Sequence, residues 1–523
     1  MSASPDISAT NNAMTNGLLY DVLIVGGGIN GCGIARELAG MGYRVILAEQ
    51  HDLASGTSSW SSKLVHGGLR YLEQYEFRLV RESLGEREVL MDMAPHIIRP
   101  ARFILPHAPG MRPRWLLRLG LFCYDWLGKF QTGLGGKKRA KLPGSQSVNF
   151  QHDETGAPLK PDYKGGFAYS DCIVDDTRLT VLNARAAAEL GADIRPFSKA
   201  RNFRRDGELW IATIGGDDIT ARLVINAAGP WADIVLRECG KAPNAKNIRL
   251  VQGSHLIVKK LFAHDQPYIF QTDDGRILFA IPYQGTFTLL GTTDREYEGN
   301  PGNAAISAAE TDYIVNAANR FFDTPVTHDD IVSSFSGVRP LFDDGKASAQ
   351  TVTRDYVLDL DDDGWLNIFG GKLTTYRKLS RQVAALAALA LANGESSAAS
   401  AVTGDEMWQS DSALPGGDMG SCGFARWQDA FVERYAPLLP HATLVRISHA
   451  YGTLAEDMLA PIMAGTAKGP DFGHGLYGFE VDYLMAREWA RSADDVLERR
   501  SKLGLLFSAD ERQSLDDYMS AAR

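Results

Sequence analysis

Cysteine is scarce in this chain. Five occur among 523 residues (Cys32, Cys123, Cys172, Cys239 and Cys422), odd in number and without a CxxC pair. That speaks against a disulfide framework or a zinc site, and no metal centre is expected. A reducing compartment is expected, with each cysteine a small core filler. Long apolar runs are also missing. No stretch reaches the roughly 18 uninterrupted apolar residues of a spanning helix. Residues 115–127 are broken by Arg118 and Asp125, and 383–391 is too short and reads as a buried helix. The first twenty residues carry no charged region followed by an apolar run, so 1–19 is expected to be a disordered leader rather than a signal peptide. Cationic excess is absent as well: 54 Lys and Arg face 64 Asp and Glu, a net charge of −10. A nucleic-acid partner, which needs a basic face, is disfavoured.

The chain does have the 45% hydrophobic and 23% charged content of a globular protein. Its length allows about three domains at about 150 residues each. Its 52 glycines exceed the usual share of about 7%, so tight turns or close backbone–ligand approaches are expected.

The β-rich run 21–25 leads into Gly26-Gly-Gly-Ile-Asn-Gly31, a helical segment 32–41, and a second β-rich run 43–49 ending in Glu49. This is a βαβ unit with a GxGxxG turn. Gly26 permits the turn, Gly28 lets the backbone approach a pyrophosphate, and Gly31 allows close helix–strand packing. The phosphates then face the helix N-terminus. Glu49 is placed for a ribose hydroxyl, and its negative charge disfavours NADP. FAD and NAD share this fingerprint. A late Gly370-Gly-Lys-Leu-Thr-Thr375, between the strand-like 365–369 and a helix to about 391, suits a chain that returns to close over a flavin.

Further along, a Ser/Gly-rich loop 54–63 runs into 64–71, and a charged helix 77–93 stops before Pro95. Asp175 caps a helix to about 190, and short strands follow over 193–225. The segment 248–345 reads as strand-rich, and the chain beyond 400 as mostly helical. Arg70, Arg339, Arg354, Lys372 and His255 stand beside glycine turns and strand ends, where guanidinium forks and a lysine suit a phosphate dianion or a carboxylate. Dehydrogenating an alcohol needs a proton acceptor. His255 is the favoured candidate and His66 the other, with alkoxide stabilisation by an arginine as an alternative to a discrete base.

Together these segments resemble the FAD-dependent glycerol-3-phosphate dehydrogenases of aerobic type, in the D-amino-acid-oxidase-like flavoprotein superfamily. The ordered matches include VGGGINGCGIARELAGMGYRVILAEQ, KLVHGGLRY, FAYSDCIVDDTRL, NAAGPWAD, GSHLIV, LLGTTDREY, SGVRPL and FGGKLTTYRKL. The resemblance implies an α/β fold: a glutathione-reductase-like FAD-binding Rossmann domain, an antiparallel-sheet substrate domain and a C-terminal helical domain. The FAD domain is expected over about 20–95, 165–245 and 350–392, the substrate domain over about 96–164 and 246–349, and the helical domain over 401–523.

The implied reaction oxidises sn-glycerol 3-phosphate to dihydroxyacetone phosphate by hydride transfer to FAD, with electrons passed to a membrane quinone. A glycerol-3-phosphate oxidase using O2 is the alternative; an amino-acid oxidase or a non-catalytic flavoprotein fits the cations less well. Carried over, Arg70, Tyr71, His255, Arg339, Arg354 and Lys372 bind substrate, with His255 and Arg339 catalytic. Gly26, Gly28, Gly31, Glu49, Ser62, Ala228, Gly371, Lys372, Leu373 and Thr374 bind FAD. Residues 99–141 carry ten Lys and Arg against the lone acid Asp125, with Trp115, Phe122, Tyr124, Trp126 and Phe130 interleaved. We expect this island to hold a cytoplasmic protein peripherally on the anionic inner face of the membrane. A homodimer is the expected assembly.

Overall fold

A computed structural model describes residues 19–108, 111–129, 132–133, 136–137, 142–241, 246–343, 355–392 and 408–523. Arg354, most of the expected leader, and Phe130, Lys138, Arg139 and Lys141 of the basic island lie outside the described residues.

Strand Leu19–Val25 sits inside an eight-stranded sheet and is apolar on both faces because both are covered. Val22 and Ile24 pack with Val181 and Val383 of helices Asp176–Glu189 and Tyr376–Ala392, and with Ile34 of Ile29–Gly40. Leu23 and Val25 point the other way, toward Val224, Trp365 and Trp210. The central strands run parallel: Ile24 pairs with Ile225 and Leu47, and Asn226 with Asn367. Four carboxyl ends therefore open on one edge, where ligands of such sheets bind. Glu49, Ala227 and Gly370 each follow one of those strands.

A second sheet has ten strands and is mainly antiparallel. Its long pair is Ile248–Lys259 against Ile331–Phe342. Helix Ala308–Ala318 covers one face, packing Ile314 and Ala318 against Leu256 and Val258. Helices between Gly423 and Ala521 enclose their own core of Phe431, Leu444, Leu459, Leu484 and Leu515.

The helix expected to be capped by Asp175 spans Asp176–Glu189, and the Asp175 carboxylate accepts the Arg178 N–H at 3.0 Å. Two expectations change. Strand Gly165–Val174 pairs with Ile98–His107 in the second sheet, so the chain returns to the Rossmann layer only after Val174, not at 165. Cys32 and Cys172 are buried, but Cys422 is exposed and fills no core.

Candidate active site

Between the two sheets lies a cavity of about 500 Å³, lined from Glu49 at one end to Thr374 and His66 at the other. At the fingerprint turn Gly26 has φ +114°, and a Cβ there would meet the Ala227 carbonyl at 2.6 Å. A side chain at Gly31 would collide with the Gly26 carbonyl, so Gly31 works beneath the turn and does not line the cavity. Gly28 precedes helix Ile29–Gly40, whose first turn holds no acidic residue and keeps its positive end facing the cavity. Ser58 shares the cap, its hydroxyl accepting the Ile29 N–H at 2.9 Å.

Glu49 lines the cavity and also holds the fingerprint turn. Its carboxylate accepts the N–H of Gly27 at 2.7 Å and of His51 at 2.8 Å, which fixes the turn. Burial raises its pKa while those two bonds oppose the rise. From the far side the returning segment closes in. Gly371 has φ +109° and abuts the Asn30 amide, which donates to the Gly370 carbonyl at 3.3 Å. The Asn30 Oδ1 is buried and makes no hydrogen bond among the described residues. A donor-bearing ligand in the cavity suits that oxygen. The bare fingerprint turn, the helix N-terminus at the cavity wall and this orphan acceptor all fit the ADP and ribityl parts of FAD. Ala228, Lys372, Leu373 and Thr374 line the same space.

The antiparallel pair forms the other wall. Val251 lies opposite Arg339, Gly253 opposite Gly337, and His255 opposite Phe335 and Gly291. With a two-residue period these positions share one face. The glycines make room for their neighbours' side chains. A Cβ on Gly253 would come 2.8 Å from the Arg339 Cζ, and one on Gly291 would come 2.7 Å from the His255 Cγ. The Arg339 guanidinium donates to Asp294 at 2.5 Å and to Thr292 at 3.2 Å, and it lines the cavity. Lys372 and Tyr71 line it too, with the ammonium 4.5 Å above the phenol ring.

His255 is 1% exposed and does not itself reach the cavity. Its Nε2 meets the Ser62 hydroxyl at 3.0 Å, and its ring stacks on Phe335 at 4.8 Å. Ser62 is the residue that lines the wall. Burial, then Arg339 and Lys63, pushes the His255 pKa down to about 3, so the imidazole is neutral. His66 lies in the wall directly. Burial lowers its pKa and Lys372 adds to that, while Asp171 opposes. Arg70 is half-buried and is not among the residues lining the cavity.

Sequence reasoning missed Asp294 and the polar set behind the sheet. There Glu310 accepts from Ser254 at 2.9 Å, Thr293 at 2.8 Å and the Ser307 hydroxyl at 2.9 Å. The alternation of Gly253 with Ser254, and of Ser336 with Gly337, signals a strand with one polar-packed and one ligand-facing side.

A Rossmann layer ending on this cavity, closed by a returning Gly-Gly segment and an antiparallel wall bearing cations, defines a flavin-dependent oxidoreductase. Residues 21–377 match the family model described as FAD dependent oxidoreductase (DAO), and the chain belongs to that family. It is 46% identical over 513 residues to a protein of Pseudomonas aeruginosa named glycerol-3-phosphate dehydrogenase, covering 96% of this chain and 95% of that one. It is 44% identical over 512 residues to a Brucella abortus protein named D-erythritol 1-phosphate dehydrogenase, covering 96% and 98%. Among solved structures, a glycerol-3-phosphate dehydrogenase from Bacillus halodurans complexed with FAD superposes with a TM-score of 0.73 at 26% identity. That superposition covers 99% of this chain and 97% of the other.

Proposed function

We propose that this protein oxidises sn-glycerol 3-phosphate to dihydroxyacetone phosphate and passes the electrons through FAD to a membrane quinone. The observation that carries this reading is the Arg339 guanidinium, held by Asp294 and Thr292 on the cavity face with Lys372 across the same space. Two fixed cations suit a phosphate dianion. Arg70, Tyr71 and Arg354 complete the proposed set by resemblance. The relatives named for phosphorylated polyols support the same substrate class.

Bound FAD supplies the two-electron acceptor. The chain's own part is to orient the carbinol and remove its hydroxyl proton. Ser62 touches the cavity and His255 Nε2 at once, so a proton leaving the substrate has a path through Ser62 to His255. The low proton affinity of His255 arises partly from Arg339 and Lys63. A bound dianion neutralises such cations and raises that affinity at the moment it is needed. His66 gives a second reading, because it reaches the cavity without an intermediary.

Helix Arg114–Lys129 supports membrane delivery. Leu117, Leu121, Tyr124 and Gly128 face inward, whereas Trp115, Leu119, Phe122 and Trp126 are 50–68% exposed along the opposite stripe. Such a stripe suits a lipid interface. Not all of the basic island takes part: Arg102 is half-buried and bonded to Pro143, Gly144 and Ser170, whereas Arg112 and Arg118 stay exposed although they pair with Glu73 and Ser145. No helix among the described residues is long and apolar enough to cross a membrane.

The Brucella relative favours a second substrate reading, a four-carbon phosphate. Comparing kcat/KM for glycerol 3-phosphate and D-erythritol 1-phosphate decides between them, and a preference for the latter overturns our choice. Arg339→Ala is expected to raise KM or abolish turnover with the flavin spectrum intact; loss of flavin would show that Arg339 belongs to the cofactor site.

A further inference from the structure

The helical domain beyond residue 408 lies outside the matched family segment, which ends at 377, yet it braces a loop that lines the flavin cavity. Its contact is the π-helix Asp495–Arg500 and the residues just after it. The target is the loop 49–63, which forms one long wall of the cavity from Glu49 to Ser62.

At the ribose end of that loop, Asp52 is buried and bonds both Arg499 and Arg500, with Arg500 Nη2 at 2.7 Å. Arg500 is in turn tied to the Glu488 carbonyl at 2.7 Å, inside the helical domain. At the catalytic end, buried Asp176 accepts from the Ser61 hydroxyl at 2.6 Å and pairs with Lys63 at 3.0 Å. Lys502 lies 3.6 Å from the other oxygen of Asp176 and bonds the Thr177 hydroxyl. Ser61 and Lys63 flank Ser62, the partner of His255. The Lys63 ammonium also sits 5.3 Å over Phe335, the ring stacked on His255. The Lys502 carbonyl further accepts from Gln284 at 2.5 Å, so one short segment touches both sheet layers.

We propose that Arg499, Arg500 and Lys502 are positioning residues for the active site. The first two fix the cofactor end of loop 49–63 through Asp52; Lys502 fixes its catalytic end through Asp176. The helical domain thus governs flavin retention and the Ser62–His255 contact. The retention half stands on the cofactor alone, and the catalytic half rests on the proposed reaction.

The charged groups facing His255 are Arg339, Lys63 and Asp176. Removing the Lys502 charge leaves Asp176 less neutralised, which favours the protonated imidazole and moves the acidic limb of the kcat/KM profile to higher pH.

The test uses the full-length holoenzyme and the variants Arg499→Met, Lys502→Met and Lys502→Arg. FAD affinity is read from flavin fluorescence on titrating the apo-protein, without substrate. Arg499→Met is expected to weaken FAD binding about tenfold, and Lys502→Met to lower kcat about tenfold and shift the acidic limb upward. Lys502→Arg should restore both kcat and limb. If Lys502→Met does not fold, Lys502→Gln takes its place, and the Arg499→Met titration stands independently of both. Parental FAD affinity in Arg499→Met overturns the retention half, and a parental profile in whichever charge-removing Lys502 variant folds overturns the catalytic half. A lowered melting temperature that leaves FAD affinity and pH profile untouched overturns both. A wrong substrate assignment looks different, because the parent enzyme then fails to turn over while the FAD titration still responds.

Discussion

Gly253→Ala isolates the placement of the Arg339 guanidinium. The added methyl would stand 2.8 Å from Arg339 Cζ and 2.8 Å from Thr292 Oγ1, wedged between the guanidinium and one of its two holders. An ordinary contact needs roughly 3.5–4.0 Å, so one of these groups must give by about 1 Å. The strand is paired on both sides and resists, whereas the guanidinium is the free end of a flexible chain. The guanidinium therefore moves. A displacement of about 1 Å at a substrate-orienting group costs on the order of 10²-fold in rate. Fold stability changes less: overpacking costs about 1–3 kcal/mol, partly offset by the about 0.5–1 kcal/mol that alanine gains over glycine within a strand. The assay is kcat/KM for glycerol 3-phosphate with flavin content measured on the same sample. A fall of about 10²-fold at full flavin content supports the geometry. A value within about twofold of the parent would refute the idea that Arg339 must sit where it does.

His255→Asn should lower kcat by about 10²-fold or more while flavin stays bound; if only His66→Asn has that effect, the proton leaves through His66. Glu310 is held below its ordinary pKa, hydrogen bonds from Ser307, Thr293 and Ser254 outweighing the burial that would raise it. Its stabilisation is therefore complete above the ordinary carboxylate range and is lost as pH falls through the lowered folded value. Urea melts of the parent and Glu310→Ala should differ by about 3 kcal/mol at neutral pH and converge in acid; a constant gap would contradict this. Replacing Trp115, Phe122 and Trp126 with Ser, or removing Arg112, Arg114 and Arg118 together, should move the protein from vesicle pellet to supernatant. Unchanged sedimentation with anionic bilayers would sink the membrane reading.

Much of the Rossmann half is legible in the sequence because its signals are local. Gly26, Gly28 and Gly31 lie within six residues of one another, and Glu49 is one strand further on. The Asp175 cap and the Gly370–Gly371 turn are local in the same way. The antiparallel wall is not. Arg339 meets Asp294 because strand 331–342 and the segments flanking Asp294 all pair with strand 248–259, and no spacing along the chain announces those registers. His255 is visible as a histidine two positions after a glycine. Its seat behind Ser62, 193 positions away, depends on two layers meeting. The reach of Arg500 to Asp52, across 448 positions, was further still from any local pattern. Cys422 shows the opposite failure: a composition rule placed it inside, and its helical neighbourhood left it exposed.

The central claim is that glycerol 3-phosphate gives its electrons to the bound flavin, and anaerobic mixing of holoprotein with that substrate tests it most directly. The account predicts that the visible flavin absorbance bleaches in a single turnover, and that Arg339→Ala slows or prevents this while keeping its flavin. A flavin that stays oxidised with saturating glycerol 3-phosphate, yet is reduced by dithionite, would contradict it.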